Sequence, residues 1–421
     1  MRELSPAEVM YQFFDRVGNI NFVVTARIEG PLSGPVLRTA LDAVQARHPL
    51  LNACIEDGKF NSCKESIPLV ESKTALTTVI EDEMAGNIEG LPMRCTWLPG
   101  APHCLVLTFH HSASDATSGM NVLADLLMAV SGKSLAARSL VPGIEALLPS
   151  EVCGMNGLFK VLRAYMAMYW YRLTLGRVRR LPIQVRVDWT ELARRVFRRR
   201  ISPVMSRRLV EQARRNHTTV HAALTAAFLL AFSRSQDKAM ALCPASMLGL
   251  RQYLNADVEG DVGMFVSLVP TFHRVSPKKP LWDLAREIKQ RLQRSIQRGD
   301  PLAALPPLRM LVPLLSRVSD NKLYQKLNKV FPACITISNL GRLQLNENYN
   351  EFTLKDVDFT ISPFADMAMA VAASTFADCL TINTSFIEPL VSRDFASQLT
   401  DDALALLKSY LFAPRDAPTT S

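Results

Sequence analysis

His110-His111-Ser112-Ala113-Ser114-Asp115, about a quarter of the way along the chain, is the stretch from which the rest is read. It follows the short apolar run CLVLTF at 104–109, of the kind that fills the inside of a sheet. It precedes a helical pattern in which Val122, Leu123, Leu126, Leu127 and Val130 share one face and which ends at Ser131-Gly132. Adjacent residues at a strand end point to opposite faces, so one histidine can reach a cleft while the other packs into its own layer. An imidazole, with a pKa of about 6.5, suits proton transfer at neutral pH. The same residues also fit two structural histidines capping a turn with Asp115, and the hexapeptide alone leaves both readings open.

Working outward, 22–28 reads as a strand closed by Glu29-Gly30-Pro31. Ser33 as N-cap and Pro35 in the first turn then open a helix carrying Val36, Leu37, Ala40, Leu41 and Val44, which must stop before Pro49. A loop at 133–152 leads to a long helix over 156–175 that mixes Tyr, Met, Trp170 and basic residues. Helices follow near 203–216 and 218–234, and a strand near 239–245. A Gly/Asp-rich loop at 255–263 precedes the apolar run 264–272 and a helix begun by Pro280. Strands are expected at 333–338, 352–359, 367–373 and 379–386, then a helix at 397–411 and a frayed tail. No internal repeat is evident, yet each half mixes strands with helices, which predicts two α/β sandwiches of similar size.

Composition narrows the function classes. The 421 residues are 48% hydrophobic and 21% charged, as in an ordinary globular protein of two or three domains. Eight cysteines, never as C-x-x-C, exclude a disulfide scaffold and the usual zinc patterns, so no metal is expected and a reduced, cytoplasmic setting fits. The start of the chain lacks the apolar core of a secretory signal, and the most apolar stretch, 220–232, is too short to span a bilayer. There is no G-x-S-x-G, H-E-x-x-H, Walker loop or G-x-G-x-x-G, which weighs against serine hydrolases, zincins, P-loop enzymes and dinucleotide-binding dehydrogenases. The net charge of +9 favours an acidic partner: anionic lipid, a phosphorylated cofactor or an acidic carrier protein. Nucleic acid is not expected, because no reader motif accompanies the charge. Ten arginines and only two acids, Asp188 and Glu191, occupy 172–200. That stretch reads as the bridge between two lobes, either a solvated connector or a dock for an anionic group. The 156–175 helix could pack on its own lobe, line an acyl-chain site or lie on a membrane surface.

With these segments in view, the chain resembles the condensation-domain and CoA-dependent acyltransferase superfamily, whose H-H-x-x-x-D-G motif matches 110–115. It is most like the phthiocerol/phthiodiolone dimycocerosyl transferase and alcohol acyltransferase branch. Leu4-Ser5-Pro6-Ala7-Glu8 is similar to the family's opening, and Arg47-His48-Pro49-Leu50-Leu51 to the end of its first strand-loop-helix. Gly249-Leu250-Arg251 and Val262-Gly263-Met264-Phe265-Val266-Ser267 resemble its C-lobe arginine and G-x-F-V segments. Ile337-Ser338-Asn339-Leu340-Gly341 looks like its S-N-x-G turn. One departure stands out: Ala116 replaces the motif's final glycine, which leaves room for a rearranged loop.

The resemblance implies an α/β fold of two chloramphenicol-acetyltransferase-like lobes forming a V with a tunnel between them. The N-terminal lobe would span 1–176, a basic linker 177–202, the C-terminal lobe 203–412 and a flexible tail 413–421. It implies that His111 is a general base, His110 its structural neighbour, and Asp115 a brace for the loop through Arg251. Ser338 and Asn339 are candidate oxyanion or substrate contacts, although ordinary turn chemistry fits them equally. Arg198, Arg199 and Arg200 are candidates for donor docking. The activity implied is transfer of an acyl group from a CoA or carrier-protein thioester to an alcohol. The alternatives are an amide-forming condensation domain and a catalytically silent carrier-protein- or lipid-binding homologue. No cofactor is expected to stay bound, since the acyl-CoA or phosphopantetheine-linked thioester is a substrate. A monomer is expected, with peripheral membrane contact left open.

Overall fold

The computed structural model describes residues 2–56, 58–330, 333–364 and 366–412. In the strand Phe22–Glu29, side chains alternate between two environments, as a sheet covered on both faces requires. Phe22, Val24, Ala26 and Ile28 enter the main core of the first lobe. Val23 joins a smaller cluster with Val79, Ile80 and Met84 of the helix Leu76–Ala85, together with Val106. This strand lies inside a six-stranded sheet, paired antiparallel with the motif strand His103–Phe109, with Phe22 opposite Phe109. The motif strand pairs in turn with Met93–Leu98. The helices Gly34–Arg47 and Ala116–Val130 bury Leu37, Leu41, Leu123 and Leu127 in the main core. Gly119 lets the second of these approach closely: a Cβ there would lie 2.9 Å from Phe22 and Val24.

A second six-stranded sheet runs Val266–Pro270, Pro244–Gly249, Ile335–Arg342, Met369–Phe376, Cys379–Glu388 and Ala193–Ile201 in spatial order. Its core is filled by the helix Val220–Ser235, whose residues from Ala222 to Ser233 are all buried. The helices Leu281–Gln297 and Arg393–Leu411 add Leu284, Ile288, Leu399 and Leu407. The expected strand at 239–245 is two strands, Met240–Leu242 and Pro244–Gly249, and only Val266–Pro270 of the 264–272 run is strand.

Three expectations about organisation are corrected. The basic 177–202 stretch is not a linker throughout: Ala193–Ile201 is an edge strand, antiparallel to Cys379–Glu388 over nine residue pairs. The 203–412 lobe is not contiguous either. Phe352–Ile361 leaves it and pairs antiparallel with Phe22–Glu29 in the first lobe's sheet, Ile361 opposite Phe22. This crossing strand satisfies an edge that the first lobe would otherwise present unpaired. Lastly, the long helix Gly154–Leu175 leans on the other lobe: Tyr171 stacks on Phe272 at 5.5 Å, and Arg163 pairs with Asp300 at 2.8 Å. The 413–421 tail lies outside the described residues.

Candidate active site

The motif strand ends at Phe109, and the chain turns tightly through 110–115 before the helix Ala116–Val130 begins. The His110 carbonyl holds the turn, accepting from the Ala113 amide at 3.2 Å and the Ser114 hydroxyl at 3.3 Å. His110 itself is buried. Its Nδ1 accepts from the Ser112 amide at 3.2 Å, which leaves Nε2–H to donate to Asp15, also at 3.2 Å. His110 therefore ties the motif loop to the first helix, Pro6–Arg16.

His111 points elsewhere, as adjacent residues must. Its ring stacks on Tyr11 with centroids 4.5 Å apart and meets the edge of Phe22 at 5.2 Å. Nδ1 is buried, and no hydrogen bond of ordinary geometry satisfies it. Burial pushes the His111 pKa down to about 4, while its own and the Ser114 carbonyls and the Asp115 charge pull more weakly the other way. The ring is thus neutral at pH 7. His48, His110 and His273 each sit within 3.2 Å of a carboxylate; His111 does not, and neither does His221, whose partner is the Ser246 hydroxyl and whose pKa burial also lowers to about 4.

Asp115 is buried and acts as a junction. It caps the motif helix by accepting from the Ser118 amide at 2.8 Å. It also takes Arg251 on both oxygens, at 3.0 and 2.8 Å, and the Phe265 amide at 3.0 Å. Arg251 extends to the Ser118 hydroxyl at 2.8 Å and the Asp261 carbonyl at 3.2 Å, and lies over the Phe265 ring at 4.7 Å. Burial alone would raise the Asp115 pKa, but the charge and hydrogen bonds of Arg251 and the two amides bring it below the usual carboxylate value. The 250–265 segment is pinned to the motif by this group. Ala116 is the first residue of the motif helix and has no positive φ, so the position does not need glycine. The departure that favoured a rearranged loop carries no strain.

Other quoted segments have structural roles. Ser5 and Glu8 form a capping box at the first helix, and Arg2 pairs with Glu8 at 2.6 Å. Arg47 and His48 both hold Asp125 of the motif helix at 2.7 Å. Ser338 and Asn339 lie within the strand Ile335–Arg342 rather than in a free turn. The Asn339 side-chain Oδ1 accepts from the Gly341 amide at 2.8 Å, beside a bulge at which Gly341 has φ +69°. Among the described residues no hydrogen bond links either of them to His111.

Donor docking by Arg198, Arg199 and Arg200 is corrected for two of the three. Arg198 is held by Asp356 and by Asp358, the latter at 2.9 Å, both on the crossing strand. Arg199 is clamped by Asp401 at 2.8 and 2.9 Å. Alternation along the edge strand sends these two cations to opposite faces, where each meets carboxylates of the protein, and Arg200 is exposed.

Tyr11, Phe22 and Asp15 complete the surroundings of the two histidines and carry no sequence signal, because the first helix and strand reach the motif only through folding. Arg194 is also new. It is 6% exposed, its Nε has no partner, burial lowers its pKa to about 10, and the nearest opposing influence is the Asp15 charge. Among the described residues no cluster of His, Cys, Asp and Glu could hold a metal ion.

Residues 190–385 match the family described as phthiocerol/phthiodiolone dimycocerosyl transferase C-terminus. Trichothecene 15-O-acetyltransferase from Fusarium sporotrichioides superposes with a TM-score of 0.74 at 14% identity, over 97% of this chain and 95% of that one. Polyketide synthase associated protein 5 from Mycobacterium tuberculosis superposes with a TM-score of 0.68 at 16% identity, over 98% of each chain. The first condensation domain of the calcium-dependent antibiotic synthetase, solved with a substrate analogue, gives 0.72 at 14% identity, over 98% and 97%. No curated protein sequence matches the chain.

Proposed function

We propose that the chain is a member of the condensation-domain and CoA-dependent acyltransferase superfamily, as the family match over residues 190–385 and the shared fold support, and that it moves an acyl group from a thioester to an alcohol with His111 as general base. The supporting observation is the His111 ring. It stands at the end of the motif strand, held by ring contacts with Tyr11 and Phe22, neutral at pH 7 and with its Nδ1 unpartnered.

The chemistry asks little else of the protein. A thioester is already activated, so no enzyme nucleophile is needed. His111 takes the proton of the acceptor hydroxyl as its oxygen attacks the carbonyl carbon. The C–O bond forms, the C–S bond breaks, and the proton passes to the departing thiolate, giving an ester and a free thiol. The developing oxyanion calls for a donor, and Ser338, buried on its strand, and the Asn339 amide group are our candidates. Asp115 and Arg251 act through the loop they hold and not on substrate. The donor is an acyl-CoA or a carrier-protein thioester, and both present the same phosphopantetheine arm.

The test is mass spectrometry of products from purified protein given a panel of acyl thioesters with alcohols and amines. An ester that appears with wild type and is lost in His111→Ala supports the proposal. Amide products alone would replace it with the condensation reading. No acyl product from any pairing would overturn it.

A further inference from the structure

Six large apolar side chains of the helix Gly154–Leu175 stand in solvent: Phe159, Leu162, Met166, Tyr169, Trp170 and Leu173, each 56–63% exposed. At 3.6 residues per turn they fall within an arc of about 100°. Tyr171 and Leu175, on the opposite side, face the body of the protein, Tyr171 against Phe272 and Arg291. A helix lining an acyl-chain site would bury this stripe, and one packed on its own lobe would cover it, so neither sequence expectation fits. The helix contains no acidic residue. It is not a membrane span, since no helix among the described residues is long and apolar enough to cross a bilayer.

A second feature lies where this helix ends. Leu175 lines an open cavity of about 540 Å³ whose wall carries Arg177, Arg179, Arg180, Lys238 and Arg274, with no carboxylate among its lining residues. Arg180 is engaged by Asp366 at 3.0 Å. The other four cations make no ion pair among the described residues. Four unpaired cations around one cavity repel one another unless an anion enters.

We propose that this face is a membrane-docking surface: the apolar stripe lies in the interfacial layer of an anionic bilayer while the basic cavity receives a phosphate-bearing lipid headgroup. An unpartnered apolar stripe with aromatic residues, on a helix whose last turn borders a cation cluster, has the chemistry of an interfacial helix. Tyr and Trp favour the headgroup layer, where one part of the ring is dry and the polar end is wet. Cations near an anionic surface add attraction that salt screens. A protein partner would also want the stripe, but the cation-lined cavity at the helix end asks for phosphate anions, which an anionic bilayer presents at high density. The inference does not depend on the acyl-transfer reading, since none of these residues belongs to that site.

The experiment is co-sedimentation of the full chain with vesicles of phosphatidylcholine alone or mixed with phosphatidylglycerol, at low and moderate salt. Wild type should pellet with the mixed vesicles, less so as salt rises, and stay in solution with phosphatidylcholine alone. A stripe variant, Leu162→Glu with Trp170→Glu, should lose at least tenfold in partitioning. A cavity variant, Arg177→Gln, Arg179→Gln, Lys238→Gln and Arg274→Gln, should lose roughly a hundredfold or more. Because all these side chains are at the surface, melting temperatures should match wild type. As a readout that needs no charged variant, vesicles should blue-shift tryptophan emission in wild type and not in Trp170→Phe. Failure of wild type to pellet with mixed vesicles would overturn the proposal, as would variants that bind like wild type. Displacement of bound protein from vesicles by free coenzyme A would overturn the headgroup assignment and give the cavity to a soluble phosphate. A wild-type dimer that the stripe variant dissociates would give the stripe to a second copy of the chain.

Discussion

At the residue scale, His110 and His111 differ in what holds them. His110 spends both ring nitrogens on the fold, one on Asp15 and one on the Ser112 amide. His111 is placed by ring contacts with Tyr11 and Phe22. His111→Ala should leave unfolding by urea nearly unchanged and lower turnover by about 10²–10⁴-fold, the usual scale of general-base loss. His110→Ala should instead lower the urea midpoint. Reversed behaviour would exchange the two roles. The pH dependence follows from the same burial. With a folded pKa of about 4, the acidic limb of kcat/KM should fall near pH 4 and not near the usual histidine value of about 6.5. Between those two values the unfolded chain holds more protons than the folded one. His111 therefore makes stability rise with pH across that window, and the gain is complete above the unfolded pKa. An acidic limb near pH 6.5 that vanishes in His111→Ala would contradict the half-buried, neutral ring.

At the scale of elements, one carboxylate holds a helix, a loop and the second lobe together. Asp115 caps the motif helix and receives Arg251, and both side chains are nearly fully buried. Arg251→Met should destabilise by roughly 3–5 kcal/mol in urea unfolding, because a buried charge loses its counterion. A loss well below about 1 kcal/mol would mean that the junction does not brace the lobes. Ala116 supplies an opposite test. Since it begins the helix with ordinary φ, restoring the motif glycine by Ala116→Gly should cost up to about 1 kcal/mol, by helix propensity, and leave turnover intact. Higher activity in that variant would show that the alanine distorts the loop after all.

Over the whole molecule, the two lobes are joined by a crossing strand and by charge. The crossing strand Phe352–Ile361 belongs in sequence to the second half and in hydrogen bonding to the first. Asp356 and Asp358 on that strand are 4% and 5% exposed and share Arg198 from the opposite lobe's edge strand. Burial raises the Asp358 pKa, and Arg198 and Asn383 oppose it, so the cation is what keeps two buried carboxylates tolerable. Arg198→Gln should therefore cost about 3 kcal/mol of stability and leave the donor KM unchanged. Arg200→Gln, at an exposed position, should change stability by less than about 0.5 kcal/mol. A raised donor KM with unchanged stability in Arg198→Gln would restore its part in docking.

Read without the structure, the chain yields what short-range order encodes. Apolar periodicity placed the first strand, the motif strand and the helices on either side of them. The spacing of two histidines and an aspartate marked the site, because alternation at a strand end and capping at a helix start act over a few residues. Three-dimensional packing decided the rest. Which face each arginine of 193–201 presents depends on a strand pairing with 379–388, far along the chain. Why His111 is neutral depends on Tyr11 and Phe22, some hundred residues earlier. Whether Ala116 is a defect depends on a backbone angle set by the helix it begins. Contacts between segments distant in sequence form only when burying apolar surface repays the entropy of closing the loops between them. Local residue patterns carry no record of that balance, so the motif was legible in the sequence and the shell around it was not.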